Sequence, residues 1–246
     1  MKHYLKTSIF FMLISLGLCS NVKSQTYFHF GYNAGFPIGL DSLNYVIDRY
    51  NETRTYLNEP MEKITFLDGF TFGFGGVFEP GFYNFGYSVG VQRRFAEGFD
   101  ITNVLVRREL KVNMTTFDFD FGFALADEEE GALFLGGSIN LGRFSVKTRY
   151  APKPDIRDED WVKINPFDGL VFTCGVFLRF IIGNPGIFVQ PYYQFTPGAF
   201  FYNDMSEVNL SLNPNTAIND PSPLNIKNHT IGIKIGIGIL AGSMWD

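Results

Sequence analysis

The sequence has few of the residues that usually mark a disulfide framework, a metal centre or a catalytic site. It contains two cysteines and three histidines in 246 residues. Cys19 lies in an N-terminal segment that we expect to be removed, so Cys174 stands alone, which excludes an intrachain disulfide and a cysteine metal site. No phosphate loop, nucleophile elbow or clustered metal-ligand spacing is present. We therefore predict no catalytic residues, no metal and no cofactor.

Long apolar runs are also missing from most of the chain. After Gln25, no run approaches the ~20 apolar residues that a membrane-spanning helix needs. The formal net charge is −5, and removal of the three lysines of residues 1–24 leaves −8. An acidic balance of this size argues against nucleic acid as a partner.

The N-terminus has the pattern of an export signal. Two lysines precede an apolar run over residues 8–18, and the small residues Val22 and Ser24 precede Gln25. The run is too short to anchor the chain as a helix. The pattern predicts a signal peptide at 1–24 and a mature domain at 25–246. The alternative is lipidation of Cys19, which Leu18 disfavours.

The strongest positive signal is a strict alternation near the C-terminus. Isoleucine fills every odd position from Ile231 to Ile239, whereas the even positions carry Thr230, Lys234 and glycines. Side chains alternate across a strand, so one face is hydrocarbon and the other is glycine with a charge. Such runs recur too often, and with too many aromatic residues, for one small core to bury them. The pattern indicates a barrel that is apolar outside and polar inside; the alternative, a soluble sandwich or lipocalin-like barrel, would have an unusually glycine-rich surface.

Eight alternating segments follow one another from Thr26. Their apolar positions lie within Phe28–Phe36, Phe70–Phe78, Tyr83–Val91, Phe117–Phe123, Leu133–Leu141, Phe172–Phe180, Ile187–Phe195 and Ile231–Ile239. The connections alternate between short turns at 79–82, 126–131 and 183–186 and long loops at roughly 37–67, 96–106, 151–166 and 203–225. The sequence therefore predicts an all-β, eight-stranded antiparallel transmembrane up-and-down β-barrel, with both termini on the periplasmic side.

The fourth segment also extends upstream with its apolar phase reversed. The stretch 107–113 places its apolar residues at even positions, whereas Phe117 and its neighbours occupy odd ones. Either this part projects above the membrane, where the outer face must be polar, or a β-bulge shifts the phase. Both explanations stay open at the level of sequence.

The inward positions of the predicted barrel carry charges of both signs. An eight-stranded barrel is just wide enough for side chains to fill it, and buried charges need partners. We predict an interior polar network made of His29, Asn33, Glu79, Gln92, Arg94, Asp118, Asp120, Asn140, Arg179, Gln190 and Lys234. The alternative is that the many inward glycines leave a small ligand or catalytic cavity.

The first long loop contains an amphipathic stretch. Val46, Ile47, Tyr50 and Leu57 lie near one face of a predicted helix that Asp41 or Ser42 could cap. These four residues are our candidates for binding a partner, and the alternative is a lid over the barrel mouth. A loop of this length is usually structured or functional.

The signal peptide, the Phe-x-Phe and Gly-x-Gly strand pattern and the eight-strand count together resemble the small outer-membrane β-barrel proteins of the OmpA/OmpX type and the PorT-type family. The resemblance covers the mature chain, but Trp245 is penultimate where the family usually ends on an aromatic residue. It implies an integral protein of the Gram-negative outer membrane in contact with lipid. It also implies a structural, adhesive or secretion-accessory role with a protein partner. A lipid-modifying enzyme and a small-solute pore are the alternative functions.

Overall fold

The computed structural model describes residues 24–38, 40–78, 80–99, 102–128, 131–152, 159–164, 169–183, 185–196, 203–204, 206–214, 225–226 and 229–241. All of the predicted signal peptide before Ser24 lies outside these residues, so its cleavage stays a prediction. Within the described ranges, no helix is long and apolar enough to cross a membrane.

Strands dominate the described residues. They are β1 (Ser24–Pro37), β2 (Leu57–Glu59), β3 (Leu67–Phe78), β4 (Gly81–Phe99), β5 (Leu105–Glu128), β6 (Gly131–Ala151), β7 (Val162–Lys163), β8 (Gly169–Gly183), β9 (Gly186–Phe195), β10 (Asn203–Asp204), β11 (Asn225–Ile226) and β12 (Thr230–Ala241). The helices are α1 (Asp41–Glu52) and α2 (Ser206–Leu212).

Eight long strands in the described part of the chain close into a ring. Their order is β1, β3, β4, β5, β6, β8, β9 and β12, every neighbouring pair is antiparallel, and β12 returns to β1. The first and last strands pair in a continuous register from Thr26 opposite Ala241 to Pro37 opposite Thr230. The predicted fold class is therefore confirmed.

The outer wall of the ring is a band of exposed hydrocarbon. The predicted outward faces carry large apolar side chains with high exposure, led by Phe123, Phe117, Phe30, Ile237 and Ile187. A closed antiparallel ring satisfies its own backbone hydrogen bonds, and only lipid can cover an apolar band of this kind favourably. The chain is thus an integral membrane β-barrel whose outer wall contacts lipid.

Glycine is required where β1 and β12 close the ring. A Cβ built on Gly31 would lie 2.8 Å from the Cα of Gly236, and one built on Gly236 would lie 2.5 Å from the Cα of Gly31. Real Cβ atoms do not approach backbone so closely. The Gly-x-Gly pattern of these strands therefore permits their close pairing.

Three neighbouring strands run far beyond the length needed to cross the membrane. Strands β4, β5 and β6 have 19, 24 and 21 residues, whereas about 9–11 residues are enough to span. The register of β4 on β5 is continuous from Gly81 opposite Phe123 to Phe99 opposite Leu105. No bulge lies in the reversed segment, so of the two explanations the projection above the membrane is the correct one. The long loop expected at 96–106 is wrong, because the strands continue through most of it.

The extended strands form an external sheet that covers α1. The short strand β2 pairs with the top of β4, and β7 pairs with β6. A helix in the first loop is confirmed as α1, but it ends at Glu52, so Leu57 lies in β2 and not on the predicted helix face. Leu40 occupies the N-cap and makes no side-chain cap bond. Its buried side chains meet the inward face of the extension in one apolar cluster, which we call the external cluster: Leu40, Leu43, Val46, Ile47, Tyr50, Met61, Ile64, Leu67, Ala96, Leu110, Val112, Phe144, Val146, Ile164, Val171, Val208 and Leu212.

A second apolar cluster fills the opposite end of the barrel, near the short turns. We call it the periplasmic cluster: Tyr27, Val77, Phe82, Phe134, Phe177, Ile181, Phe188 and Tyr192. The inside of the barrel thus has an apolar cluster at each end. The stretch between the two clusters contains the polar interior side chains.

We expect replacement of Ile235 by arginine to impair folding into bilayers. Ile235 is exposed on the lipid-facing wall near the middle of β12, where an arginine costs about 2–4 kcal/mol. The free energy of folding into lipid vesicles, measured by urea titration, checks this. Ile235→Val keeps hydrocarbon at the same position and is the control. Equal stability of the two variants would show that this face does not contact lipid.

Candidate functional site: the polar interior of the barrel

The centre of the interior contains a buried ion pair. The Nζ of Lys234 on β12 lies 2.7 Å from Oδ2 of Asp118 on β5, and both side chains are at most 3% exposed. The hydroxyl of Thr116 donates to Oδ1 of Asp118 at 2.7 Å. Ser88 also donates to this carboxylate and contacts the hydroxyl of Thr71. Strand alternation places all these side chains inward, because they share the face opposite the lipid-facing residues.

A second ion pair lies one step closer to the periplasmic cluster. The guanidinium of Arg179 on β8 approaches Oδ2 of Asp120 at 3.5 Å, and both side chains are at most 1% exposed. Its Nε donates to Oε1 of Gln190 at 2.5 Å. The amide of Asn84 donates to Asp120 at 3.2 Å. A buried charge is tolerated only with such partners, so this pair depends on four strands, β4, β5, β8 and β9.

Aromatic rings surround the Arg179 guanidinium on its remaining sides. Its central carbon lies 4.5 Å from the ring centre of Phe82, 5.3 Å from that of Phe188 and 5.5 Å from that of Tyr27. Cation–π attraction is stronger for a cation removed from bulk solvent, and Arg179 is fully buried. The rings therefore add to the stabilisation of the Arg179 charge, whose one carboxylate partner, Asp120, is 3.5 Å away.

Neutral hydrogen bonds extend the network around the barrel. Nε2 of His29 pairs with Oδ1 of Asn84 at 3.0 Å, and the hydroxyl of Tyr192 donates to Asn33 at 3.0 Å. Asn140 donates to Thr173 at 3.1 Å. These contacts link side chains from most strands of the ring.

Most residues of the predicted interior network lie in this belt, and three need separate description. Gln92 is buried, but it accepts from the backbone N–H of Thr65 at 3.1 Å and so holds the first loop. Arg94 does not join the interior acids: it lies at the external end, 3.6 Å from Glu62, because β4 extends beyond the membrane. Its predicted interior role is therefore wrong. Glu79 lies outside the described residues.

Sequence reasoning missed the aromatic side chains that line the interior. Tyr27, Phe82 and Phe188 are apolar or mixed residues at inward positions, so a search for inward polar residues passes over them. Strand alternation could have identified them, because an odd or even position in the strand gives the facing: Tyr27 lies two residues before His29 on β1 and so faces inward with it. The rings of Tyr192, Tyr27 and Phe188 occupy the space above Gly232, Gly238 and Gly236. In these places the inward glycines make room for rings and leave no ligand-sized cavity.

The cavity beside the ion pair is small. It has a volume of about 30 Å³, and Asn33, Ser88, Asp118, Tyr192 and Lys234 are among the residues that line it. A space of this size holds about one water molecule. Leu67 and Met114 line it on the side of the external cluster. Among the residues that the structure describes, no group of histidines, cysteines or carboxylates could hold a metal ion.

The structure corrects the partner-binding hypothesis for the first loop. Val46, Ile47 and Tyr50 are buried in the external cluster, and Leu57 packs against it. Their apolar surface already contacts this chain, so a partner cannot reach it while α1 stays in place. The lid alternative describes the structure, and the burial of each large side chain contributes about 1.5–3 kcal/mol.

Arg54 ties this lid to a second loop. Its guanidinium donates to the carbonyl of Leu212 at 2.8 Å and to Oδ1 of Asn213 at 3.3 Å, and it lies 3.9 Å from the ring centre of Tyr50. Burial raises the pKa of Tyr50, so its hydroxyl stays neutral. The first and last long loops therefore close the external end together.

We expect Lys234→Met to destabilise the barrel by about 3–5 kcal/mol, because it leaves Asp118 charged and buried without its partner. The double variant Lys234→Met with Asp118→Asn removes both charges and should lose less than the single variant. Chemical denaturation in detergent micelles measures both. Lys63→Met removes an exposed pair with Asp48 and should cost under about 1 kcal/mol. A single variant no worse than this control would contradict the buried pairing.

No protein-family model matches the chain, and no curated protein matches it. Among solved structures, it is similar to that of Ail, the attachment invasion locus protein of Yersinia pestis, in complex with the heparin analogue sucrose octasulfate. The identity is 11% over 88% of this chain and 99% of that chain, with a TM-score of 0.40. It is also similar to the solid-state NMR structure of the outer membrane protein AlkL in DMPC bilayers, with 12% identity over 92% and 93% of the two chains and a TM-score of 0.34.

These similarities are too low to carry an argument, and the PorT-type resemblance stays a prediction. The assignment rests on the closed antiparallel ring, the exposed apolar band and the buried polar belt. The chain is a small eight-stranded antiparallel membrane β-barrel.

Proposed function

We propose that this protein is a closed, non-conducting barrel with a structural or accessory role in an envelope or protein-secretion complex. The observation that carries the proposal is the burial of α1, whose apolar face closes the external mouth. A barrel filled in this way supports its external end above the membrane. Its function then depends on what that end contacts.

Three layers of side chains support a closed interior. The external cluster lies under α1, the ion pairs of Asp118 and Asp120 lie in the middle, and the periplasmic cluster lies below. Eight strands leave room only for such a filling. A solute would have to displace both apolar clusters and two ion pairs to pass.

The upper surface of the lid supports recognition of a protein partner. Tyr56 and Tyr150 are 39% and 46% exposed, and Arg108 lies 5.3 Å from the ring centre of Tyr150 and 5.9 Å from that of Tyr50. Burial lowers the pKa of Arg108, and none of the described acids forms an ion pair with it. Tyrosine and arginine are enriched where interfaces gain most binding energy. A carboxylate of a protein partner would supply the ion pair that Arg108 lacks among the described acids.

The proposed role is not enzymatic. Ser88, Asp118 and Lys234 are the residues that most resemble a catalytic group, but all three are buried. The adjoining cavity holds about one water. A lipid headgroup or acyl chain has no room beside Ser88.

We expect purified protein in planar bilayers to give no stable, well-defined conductance, since the three layers fill the lumen. The measurement is single-channel recording across a range of voltages. A reproducible open state in most insertions would contradict the closed interior and favour the pore.

We expect the triple variant Val46→Ser, Ile47→Ser, Tyr50→Ser to release the lid while the barrel stays inserted. Strand pairing is untouched, so heat-modifiable migration on gels should persist. The removal of three buried apolar groups should expose residues 41–57 to protease. Asp48→Ser with Glu52→Ser changes the outer side of the same helix and should stay resistant. An equally resistant triple variant would show that the helix does not close the mouth.

The partner surface is tested by Tyr56→Ala with Tyr150→Ala. We expect at least a tenfold loss of the major protein that crosslinks to the external end in intact cells, because two exposed aromatic contacts are removed. Glu52→Ala with Asn58→Ala alters the same end without removing a ring. An unchanged crosslinked partner would remove the support for this surface.

A further inference from the structure

The outer wall of the extension carries a row of positive charges in one register, where residues of neighbouring strands lie directly opposite one another. Arg93 lies opposite Lys111, Lys111 opposite Lys147, and Lys147 opposite Lys163. We call these four residues the basic row. Directly opposed residues in antiparallel strands have Cβ atoms about 4.5–5.5 Å apart, so like charges there are destabilising. The arrangement costs stability unless an anion offsets it.

The nearby acids on this wall are already committed to other cations. Glu109 accepts from Arg149 at 2.8 and 2.9 Å and lies 3.1 Å from Arg107. Arg107 also lies 3.4 Å from Glu97. Within the described residues, no acid forms an ion pair with the first three members of the basic row. None of the described acids therefore offsets the charge of these three residues through an ion pair.

An indole ring lies beside the basic row. The ring centre of Trp161 is 5.8 Å from Arg93, 5.8 Å from Lys111 and 4.6 Å from Arg149. Burial, followed by the charges of Arg93 and Lys147, lowers the pKa of Lys111. The crowding is thus visible both in the strand register and in the electrostatics of its central lysine.

The height of the row indicates what could reach it. On β5, Phe117 is the aromatic residue of the apolar band that lies nearest the external end. Lys111 precedes it by about 20 Å of strand at ~3.3 Å per residue. At a strand tilt of about 40°, this places Lys111 about 15 Å above Phe117. Phospholipid headgroups extend only about 5–8 Å beyond the hydrocarbon. Lys111, the central lysine of the row, therefore lies above phospholipid phosphates.

We propose that the basic row binds phosphate groups on the saccharide headgroup of a glycolipid in the outer leaflet. The row faces sideways from the barrel wall, toward neighbouring lipids, and it is on the side of the long loops, which face the exterior. A phosphorylated sugar headgroup is both tall enough and anionic enough to offset the row. The proposal stands independently of the closed-barrel function.

Fluorescence of Trp161 provides a direct test. The full mature chain carrying Trp245→Phe, which leaves Trp161 as its tryptophan, is placed in phosphatidylcholine nanodiscs. The probe is lipopolysaccharide with a phosphorylated core. We expect a saturable fluorescence change, and binding at least tenfold weaker for the same glycolipid after dephosphorylation. Phosphatidylglycerol incorporated in the nanodisc should give no change, because its phosphate lies too low.

Charge removal supplies the matched comparison. The triple variant Arg93→Gln, Lys111→Gln, Lys147→Gln should weaken binding of the phosphorylated probe at least tenfold. Arg49→Gln, Lys63→Gln, Arg94→Gln removes the same charge from the external end outside the row and should change binding less than twofold. Equal losses in both triples, or equal binding of the dephosphorylated probe, would overturn the proposal. Saturable binding of a soluble heparin fragment without binding of the glycolipid would also overturn it, in favour of a soluble polyanion.

Stability gives a second readout that does not depend on the probe signal. Lys111→Gln relieves repulsion, so it should raise the midpoint of urea unfolding in phosphatidylcholine nanodiscs. It should also reduce the further rise that lipopolysaccharide produces in the original chain. Lys111→Gln could instead have a lower unfolding midpoint than the original chain without lipopolysaccharide, and the same rise in midpoint with it. That result would show that Lys111 has only a structural role.

Discussion

The structure depends on one constraint, which is that no backbone polar group can stay unpaired in the hydrocarbon of a membrane. A ring of strands meets this constraint because each strand pairs on both sides, and the pairing of β1 with β12 removes the last edge. Closure requires close approach at that seam, which Gly31 and Gly236 permit. Once the ring is closed, the alternation of side chains assigns hydrocarbon to lipid and the remaining residues to the interior.

That assignment creates a second problem inside the barrel, because polar side chains are then removed from water. Asp118 with Lys234 and Asp120 with Arg179 meet it by pairing across strands that are distant in sequence. Apolar clusters at both ends shield these pairs from bulk solvent. Above the membrane the outer face is again in water, so the same strands turn apolar residues such as Leu110 and Val112 inward. One inward face thus changes from polar to apolar along β5 without a change of register.

Much of the fold could be predicted because the signal is local. The period of two in Ile231–Ile239 and in Phe117–Phe123 specifies both strand and facing, and turn residues separate the strands. The reversed phase upstream of Phe117 could not be decided in this way, since a bulge and a projection give the same pattern. Arg94 was misplaced for a related reason. Its even position on β4 faces inward, but strand alternation does not give the height of a residue along the barrel.

By itself the sequence determined the strand count, the lipid-facing wall and the inward facing of most polar residues in the middle of the barrel, because each follows from alternation along one strand. Only the tertiary structure decided which of these residues meet, because Asp118 and Lys234 are joined by ring closure and not by proximity in the chain. It also decided that the face of α1 with Val46 and Ile47 is covered. Burial of an amphipathic helix depends on the surface opposite it, and that surface belongs to strands β4, β5 and β6, which lie after α1 in the chain.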